Sequence, residues 1–154
     1  MKKLTFILAT LFAAVAVSAQ TYVDLGLPSG TQWKDQNEAG GFYTYEQATA
    51  KFGTSLPTKE QFEELKESCR WTWNGSGYKV TGPNGKFIVL PAEGIRQPCD
   101  DELGVGIGDT GGCWSSTPDS SWEYAWCLLF IQSASTLSVD YYARALGLSV
   151  RLVR

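Results

Sequence analysis

Leu56-Pro57-Thr58-Lys59-Glu60-Gln61-Phe62-Glu63-Glu64-Leu65-Lys66-Glu67-Ser68-Cys69-Arg70-Trp71-Thr72-Trp73 changes period along its length, and that change decides the fold class. Thr58 with Gln61 three residues on is a capping-box pattern, and Pro57 stands just before it. Phe62, Leu65 and Cys69 then line one stripe, while Glu60, Glu63, Glu64 and Glu67 face water. Glu60 and Glu63 also sit near the positive end of the helix dipole. From Trp71 the period becomes two. Trp71 and Trp73 lead through Asn74-Gly75-Ser76-Gly77 into Tyr78-Lys79-Val80, which reads as strand, turn, strand. Asn74-Gly75-Ser76 is also a glycosylation sequon, but the turn accounts for it.

Upstream, Tyr22-Val23-Asp24-Leu25 and Thr31-Gln32-Trp33 read as short strands around a Pro28-Ser29-Gly30 turn. Thr44 and Gln47 form a second capping box. Tyr45, Ala48 and Phe52 share one face of that helix, and Gly53 stands where it stops. Downstream, Gly82-Pro83-Asn84-Gly85 is a turn before a strand from Lys86 to Leu90. Glu93-Gly94-Ile95-Arg96 extends the sheet, and Gln97 to Gly112 reads as a long loop. Further strands are expected at Cys113 to Ser116, Tyr124 to Ile131, Ser135 to Val139 and Leu148 to Val153. Helices first and strands afterwards make the fold α+β, not βαβ.

Composition removes whole classes of chemistry. The 154 residues include no His, so Ser-His-Asp and Cys-His machinery and His-ligated zinc are excluded. Lys2 and Lys3 aside, eleven basic residues face sixteen acidic ones with no basic cluster, a poor match to nucleic acid. Met1-Lys2-Lys3, the apolar run Leu4 to Val17 and Val17-Ser18-Ala19 have the form of a cleavable secretory signal over residues 1–19. The run is shorter than a membrane span, and no Cys follows it as in a lipoprotein. Residues 20–154 are therefore expected to form a single secreted or periplasmic domain with no membrane span. In an oxidising compartment four cysteines suggest two disulfides. Cys99–Cys113 and Cys69–Cys127 are the favoured pairs among three connectivities. No two cysteines lie closer than fourteen positions, so a four-Cys zinc site is rejected.

Several segments taken in order resemble a known family. They are Tyr22 to Trp33, Leu56 to Leu65 before Cys69-Arg70-Trp71-Thr72-Trp73, Gly77 to Gly85 leading to Leu90-Pro91-Ala92-Glu93-Gly94, Trp114-Ser115-Ser116, and Ser149 to Arg154. Together they resemble the Fibrobacter succinogenes major paralogous domain of exported Bacteroidetes proteins. That resemblance implies a C-type-lectin-like fold, shared with formylglycine-generating enzymes. Two helices would pack on a small twisted antiparallel sheet, terminal strands would lie close together, and ligand contacts would come from a loop-rich second half. Lys34-Asp35-Gln36-Asn37-Glu38-Ala39-Gly40 departs from the family pattern, which has a Cys in this stretch.

Trp33, Trp71, Trp73 and Trp114 read as core. Trp122, Tyr124, Tyr141 and Tyr142 lie in or beside second-half loops, with Trp126 read as alternating inward relative to Tyr124. An exposed platform of Trp122, Tyr141 and Tyr142, with Asp119, Asp140 and Arg144 as polar partners, is the expected ligand surface. Asp100, Asp101, Glu102 and Asp109 read as a solvated acidic loop and not a calcium site, since no EF-hand or sugar-binding calcium motif is present. Glu93 reads as a carboxylate at a strand end without a partner carboxylate, hydrogen-bonded and not a general acid. No cofactor and no metal are expected. The function class that follows is non-enzymatic binding of a glycan, peptide or cell-envelope partner. The alternatives are an assembly subunit of a surface complex and a relic of a formylglycine-generating-type oxidoreductase.

Overall fold

A computed structural model describes residues 21–99 and 104–154. The expected signal segment and the acidic Asp100, Asp101 and Glu102 lie outside the described residues. The chain is α+β: the described residues form two α-helices and three small antiparallel sheets instead of one. β1 (Tyr22–Asp24) pairs with β2 (Gln32–Lys34). α1 (Tyr45–Phe52) and α2 (Lys59–Ser68) follow, separated by a short 3-10 turn. β3 (Arg70–Trp73), β4 (Gly77–Thr81) and β5 (Phe87–Pro91) form the second sheet. β6 (Thr110–Pro118), β7 (Tyr124–Ile131) and β8 (Thr136–Ala143) form the third.

Both helices start where side-chain chemistry dictates. Thr44 and Thr58 each accept from the amide three residues on, and Gln47 and Gln61 each accept from the cap residue's own amide. α1 stops at Gly53, whose φ of 49° lies in the left-handed region. The expected long loop is shorter than its sequence suggests. Ile95 bridges to Val105, Arg96 bridges to Gly147, and β6 already begins at Thr110.

The third sheet divides the core. Cys113, Leu128 and Phe130 pack with Phe62 and Leu65 of α2, with Trp33, and with Val80, Ile88 and Leu90 of the second sheet. Trp114, Ala125 and Cys127 face the other way, onto Tyr45 and Ala48 of α1 and onto Leu148, Val150 and Leu152. Alternate residues of β6 and β7 thus feed opposite cores, which is why Ala125 to Phe130 is apolar throughout and buried except at half-buried Trp126. The expected last strand, Leu148 to Val153, is a threaded segment instead. It exchanges hydrogen bonds with β6 through Ser149 and with β2 through Leu152 and Arg154, so it ties the N-terminal sheet to the third.

That division corrects the cysteine pairing. All four are free thiols, and neither Cys99–Cys113 nor Cys69–Cys127 is bridged. Cys69 packs on the α2 side of the third sheet and Cys127 on the α1 side, so the sheet stands between them. Cys113 is closed into the core at 4% exposure, whereas Cys99 is exposed on a turn. Burial, with the Glu64 carboxylate as a smaller cause, pushes the Cys69 thiol up to about 11. Burial pushes Cys113 up to about 12, and raises Cys127 too.

Candidate functional site

The aromatic residues singled out by sequence divide between the two faces of the third sheet. In register, Trp126 stands opposite Tyr141, while Ala125 stands opposite Tyr142 and Cys127 opposite Asp140. Cross-strand partners share a face and neighbours along a strand do not. Tyr141 therefore projects on the α2 side, and Tyr142 and Asp140 on the α1 side. Tyr142 is half-buried against the second core, where burial, then the neighbouring Cys127 and Asp140, raise its phenol pKa. The expected Trp122–Tyr141–Tyr142 platform is not formed, because Tyr141 and Tyr142 belong to a strand and not to a loop.

A different aromatic group takes its place. Tyr124 and Trp126, two residues apart in β7, share a face, so Trp126 does not alternate with Tyr124. The Tyr141 ring meets the Tyr124 ring edge-on at 5.8 Å and the Trp126 ring edge-on at 5.5 Å. The Lys59 ammonium, at the start of α2, stands 3.5 Å from the Trp126 ring centroid, a cation–π contact that sequence reasoning missed. Tyr141 is 49% exposed, Tyr124 37%, and Trp122, at the β6–β7 turn, 80%. Trp122, Tyr124 and Arg144 also line a hollow of about 440 Å³ with Glu46 and Glu123.

The polar partners are mostly committed to structure. Asp119 closes the β6–β7 turn by accepting from the Ser121 amide at 3.1 Å. Arg144 donates from Nε to the Tyr124 carbonyl at 2.9 Å and lays its guanidinium over the Tyr45 ring. Its Nη1 lies 4.0 Å from Glu46. The Tyr45 phenol is raised by burial against the opposing pull of Arg144. Among the described residues Asp140 accepts only from the Tyr141 amide, at 2.8 Å. Asp109, the described member of the acidic loop, holds the β7–β8 turn by accepting from the Ser133 amide and hydroxyl.

A second concave site, of about 660 Å³, lies where sequence reasoning pointed to nothing. Arg151, fully buried, donates from Nε to Asn37 Oδ1 at 2.7 Å, from Nη1 to the Lys34 carbonyl at 2.9 Å and from Nη2 to the Val89 carbonyl at 2.6 Å. Burial lowers its pKa, opposed by neighbours that include Glu93, Asp35 and Glu38. Glu93 Oε2 accepts from Asn37 Nδ2 at 3.1 Å and from Ser149 Oγ at 2.8 Å, so it is hydrogen-bonded as expected, to partners that the sequence did not name. Lys34 pairs with Glu38. The signal available in the sequence was an Arg inside the apolar run Val150-Arg151-Leu152-Val153. Its partners lie 62 to 117 positions away, beyond the reach of any local pattern.

Among the described residues no helix is long and apolar enough to cross a membrane. Neither a protein-family model, a curated protein nor a solved structure matches the chain.

Proposed function

We propose that this chain is a non-enzymatic recognition module that holds a glycan, peptide or surface-protein partner against the ledge of Trp122, Tyr124 and Tyr141. One observation carries the reading: Tyr124 and Tyr141 stand exposed in edge-on contact, and Trp122, 80% exposed, lines the hollow next to Tyr124, although neither core includes any of the three. Exposed aromatics of this size mark contact surfaces more often than packing surfaces. Support for a role without catalysis comes from a sequence lacking His and from cysteines whose buried thiols are held in the protonated, unreactive form. The fold is read as C-type-lectin-like and as related to the Fibrobacter succinogenes major paralogous domain. Two capped helices on a β core and the pairing of Trp33 with Val153, which brings the terminal segments together, support that reading. Export to the periplasm or cell exterior rests on the leader-like first 19 residues.

The alternative of an assembly subunit draws support from β8. Among the described residues this eight-residue strand pairs with β7 alone, and its other edge offers a row of backbone groups to another chain. A glycan and peptide array probed with the purified protein, with and without calcium, separates the two. Capture on the array that is lost in Trp122→Ala supports the ledge. A blank array, together with a stable stoichiometric partner on size exclusion of the native envelope fraction, supports assembly instead.

A further inference from the structure

We propose that β8 pairs edge to edge with β8 of a second copy of this chain, antiparallel and centred on Val139, so that the third sheets of both copies become one. The inference rests on the β8 edge that favours assembly and does not depend on recognition at the aromatic ledge. Main-chain phase decides which groups that edge offers. The Arg144 amide donates to the Glu123 carbonyl, and the Asp119 amide donates to the Tyr124 carbonyl from the β6 side. Glu123 and Arg144 stand opposite one another, one step beyond Tyr124 and Ala143. Hydrogen-bonded and non-hydrogen-bonded pairs alternate along an antiparallel ladder. Thr136, Ser138, Asp140 and Tyr142 therefore turn their amides and carbonyls to β7, and Leu137, Val139 and Tyr141 turn theirs outward. The Tyr141 amide fits this phase, donating to Asp140 Oδ1 at 2.8 Å.

Two other edges are guarded where β8 is not. β6 shifts register between Trp114 and Pro118, ends in Pro118, and has Ser149 of the C-terminal segment against it. β5 ends in Pro91, and its Val89 carbonyl is taken by Arg151. β8 keeps unbroken register with β7 from Thr136 to Ala143 and contains no Pro, Lys or Arg, the usual guards of an edge. Its one charged side chain is Asp140.

What β8 fits is its own sequence. Centred on Val139, an antiparallel copy sets Leu137 of one chain opposite Tyr141 of the other, and Val139 opposite Val139, in hydrogen-bonded pairs. These side chains share the α2 face, where Leu137 and Val139 are half-buried on the first core and Tyr141 is 49% exposed. On the other face Ser138 meets Asp140 and Thr136 meets Tyr142. Apolar thus meets apolar on one face, and each carboxylate meets a hydroxyl on the other. Asp140 gives up the Tyr141 amide to the opposing Leu137 carbonyl and accepts from the opposing Ser138 hydroxyl instead. Moving the centre to Asp140 keeps the main-chain phase but sets two carboxylates directly opposite, which disfavours it. The two-fold closes on itself, so association stops at a dimer. One strand pair is a small interface, which places the dimer at the weak end, with a Kd of about 10–100 µM.

The test is sedimentation equilibrium of the purified protein, with amide hydrogen exchange read on the same samples. Average mass should rise from one chain toward two between about 1 µM and 1 mM. Over that range the amides of Leu137, Val139 and Tyr141 should become about fivefold more protected. Those of Ser138 and Asp140, already bonded to β7, should gain no such protection. Ser138→Asp sets its carboxylate opposite Asp140 at both symmetric positions and should weaken the dimer about tenfold, and adding Asp140→Lys should restore it. The exchange readout needs no variant, so misfolding of Ser138→Asp leaves the test intact. Trp122→Ala lies off the edge and should change neither readout. A monomer throughout, or a dimer whose three edge amides exchange as in the monomer, overturns the proposal. Undiminished association of a folded Ser138→Asp, or loss of the dimer in Trp122→Ala, overturns it as well. A monomer that still recovers a stable partner from the native envelope fraction overturns pairing with a second copy and leaves the assembly reading standing.

Discussion

Arg151 stands between Val150 and Leu152, both buried, and is itself fully buried with no carboxylate within salt-bridge distance among the described residues. Three neutral acceptors hold its guanidinium, and its planar fork reaches all three because they come from β2, β5 and the segment after β2. A buried charge held this way is costly to disturb from either side. Arg151→Met should lower stability by about 3 kcal/mol in urea unfolding, because the carbonyls of Lys34 and Val89 each lose a charged donor. Arg151→Lys should recover less than half of that, since an ammonium cannot reproduce the fork. At this scale the sequence was legible where the partner is local. Both capping boxes could be read from Thr58 with Gln61 and Thr44 with Gln47, and both form. The roles of Glu93 and Arg151 were not legible, because their partners come from segments far apart in the chain.

Elements were legible wherever period and turn chemistry agreed. The Tyr124–Ile131 strand and the β3–β4 hairpin fall where the alternation puts them. β8 was read short, as Ser135 to Val139, and that one boundary displaced the binding surface. With Tyr141 and Tyr142 inside the strand, pleating sends them to opposite faces. The β4–β5 turn shows a constraint that spacing alone hides. Gly82 packs so closely on the Leu25 carbonyl that a Cβ there would collide with it, and Asn84 donates to the Asp24 carbonyl at 2.8 Å. Gly82→Ala should therefore destabilise the protein by about 2 kcal/mol or more, read from the urea midpoint. The exposed Gly85→Ala, which strains only φ at +84°, should cost about 1 kcal/mol.

For the whole molecule, α+β followed from the order of the elements. The division of the core by the third sheet did not, because it depends on which residues of β6 and β7 face which helix. The thiols express that division. Cys69 and Cys113 have folded-state pKa values raised to about 11 and about 12 from an ordinary 9.0, with burial the leading cause. The unfolded chain therefore gives up these protons first, and the folded state holds more protons between about pH 9 and 12. Stability is then fully present below pH 9 and falls as pH rises through that window, with Tyr45 and Tyr142 adding in the same direction. Urea midpoints that stay level from pH 7 to 8, decline above 9 and do not change with reductant are the expected result; a reductant-dependent midpoint would mean that bridges had formed after all. The central claim is that the exposed rings of Trp122, Tyr124 and Tyr141, and not Tyr142 packed on the α1-side core, carry recognition. Its most direct measurement titrates whatever partner the array identifies against Trp122→Ala, Tyr141→Ala and Tyr142→Phe, with melting curves recorded alongside. The account predicts that the first two lose binding by tenfold or more while Tyr142→Phe binds as the parent does; full binding by Trp122→Ala and Tyr141→Ala, or equal loss in Tyr142→Phe without loss of fold, would contradict it.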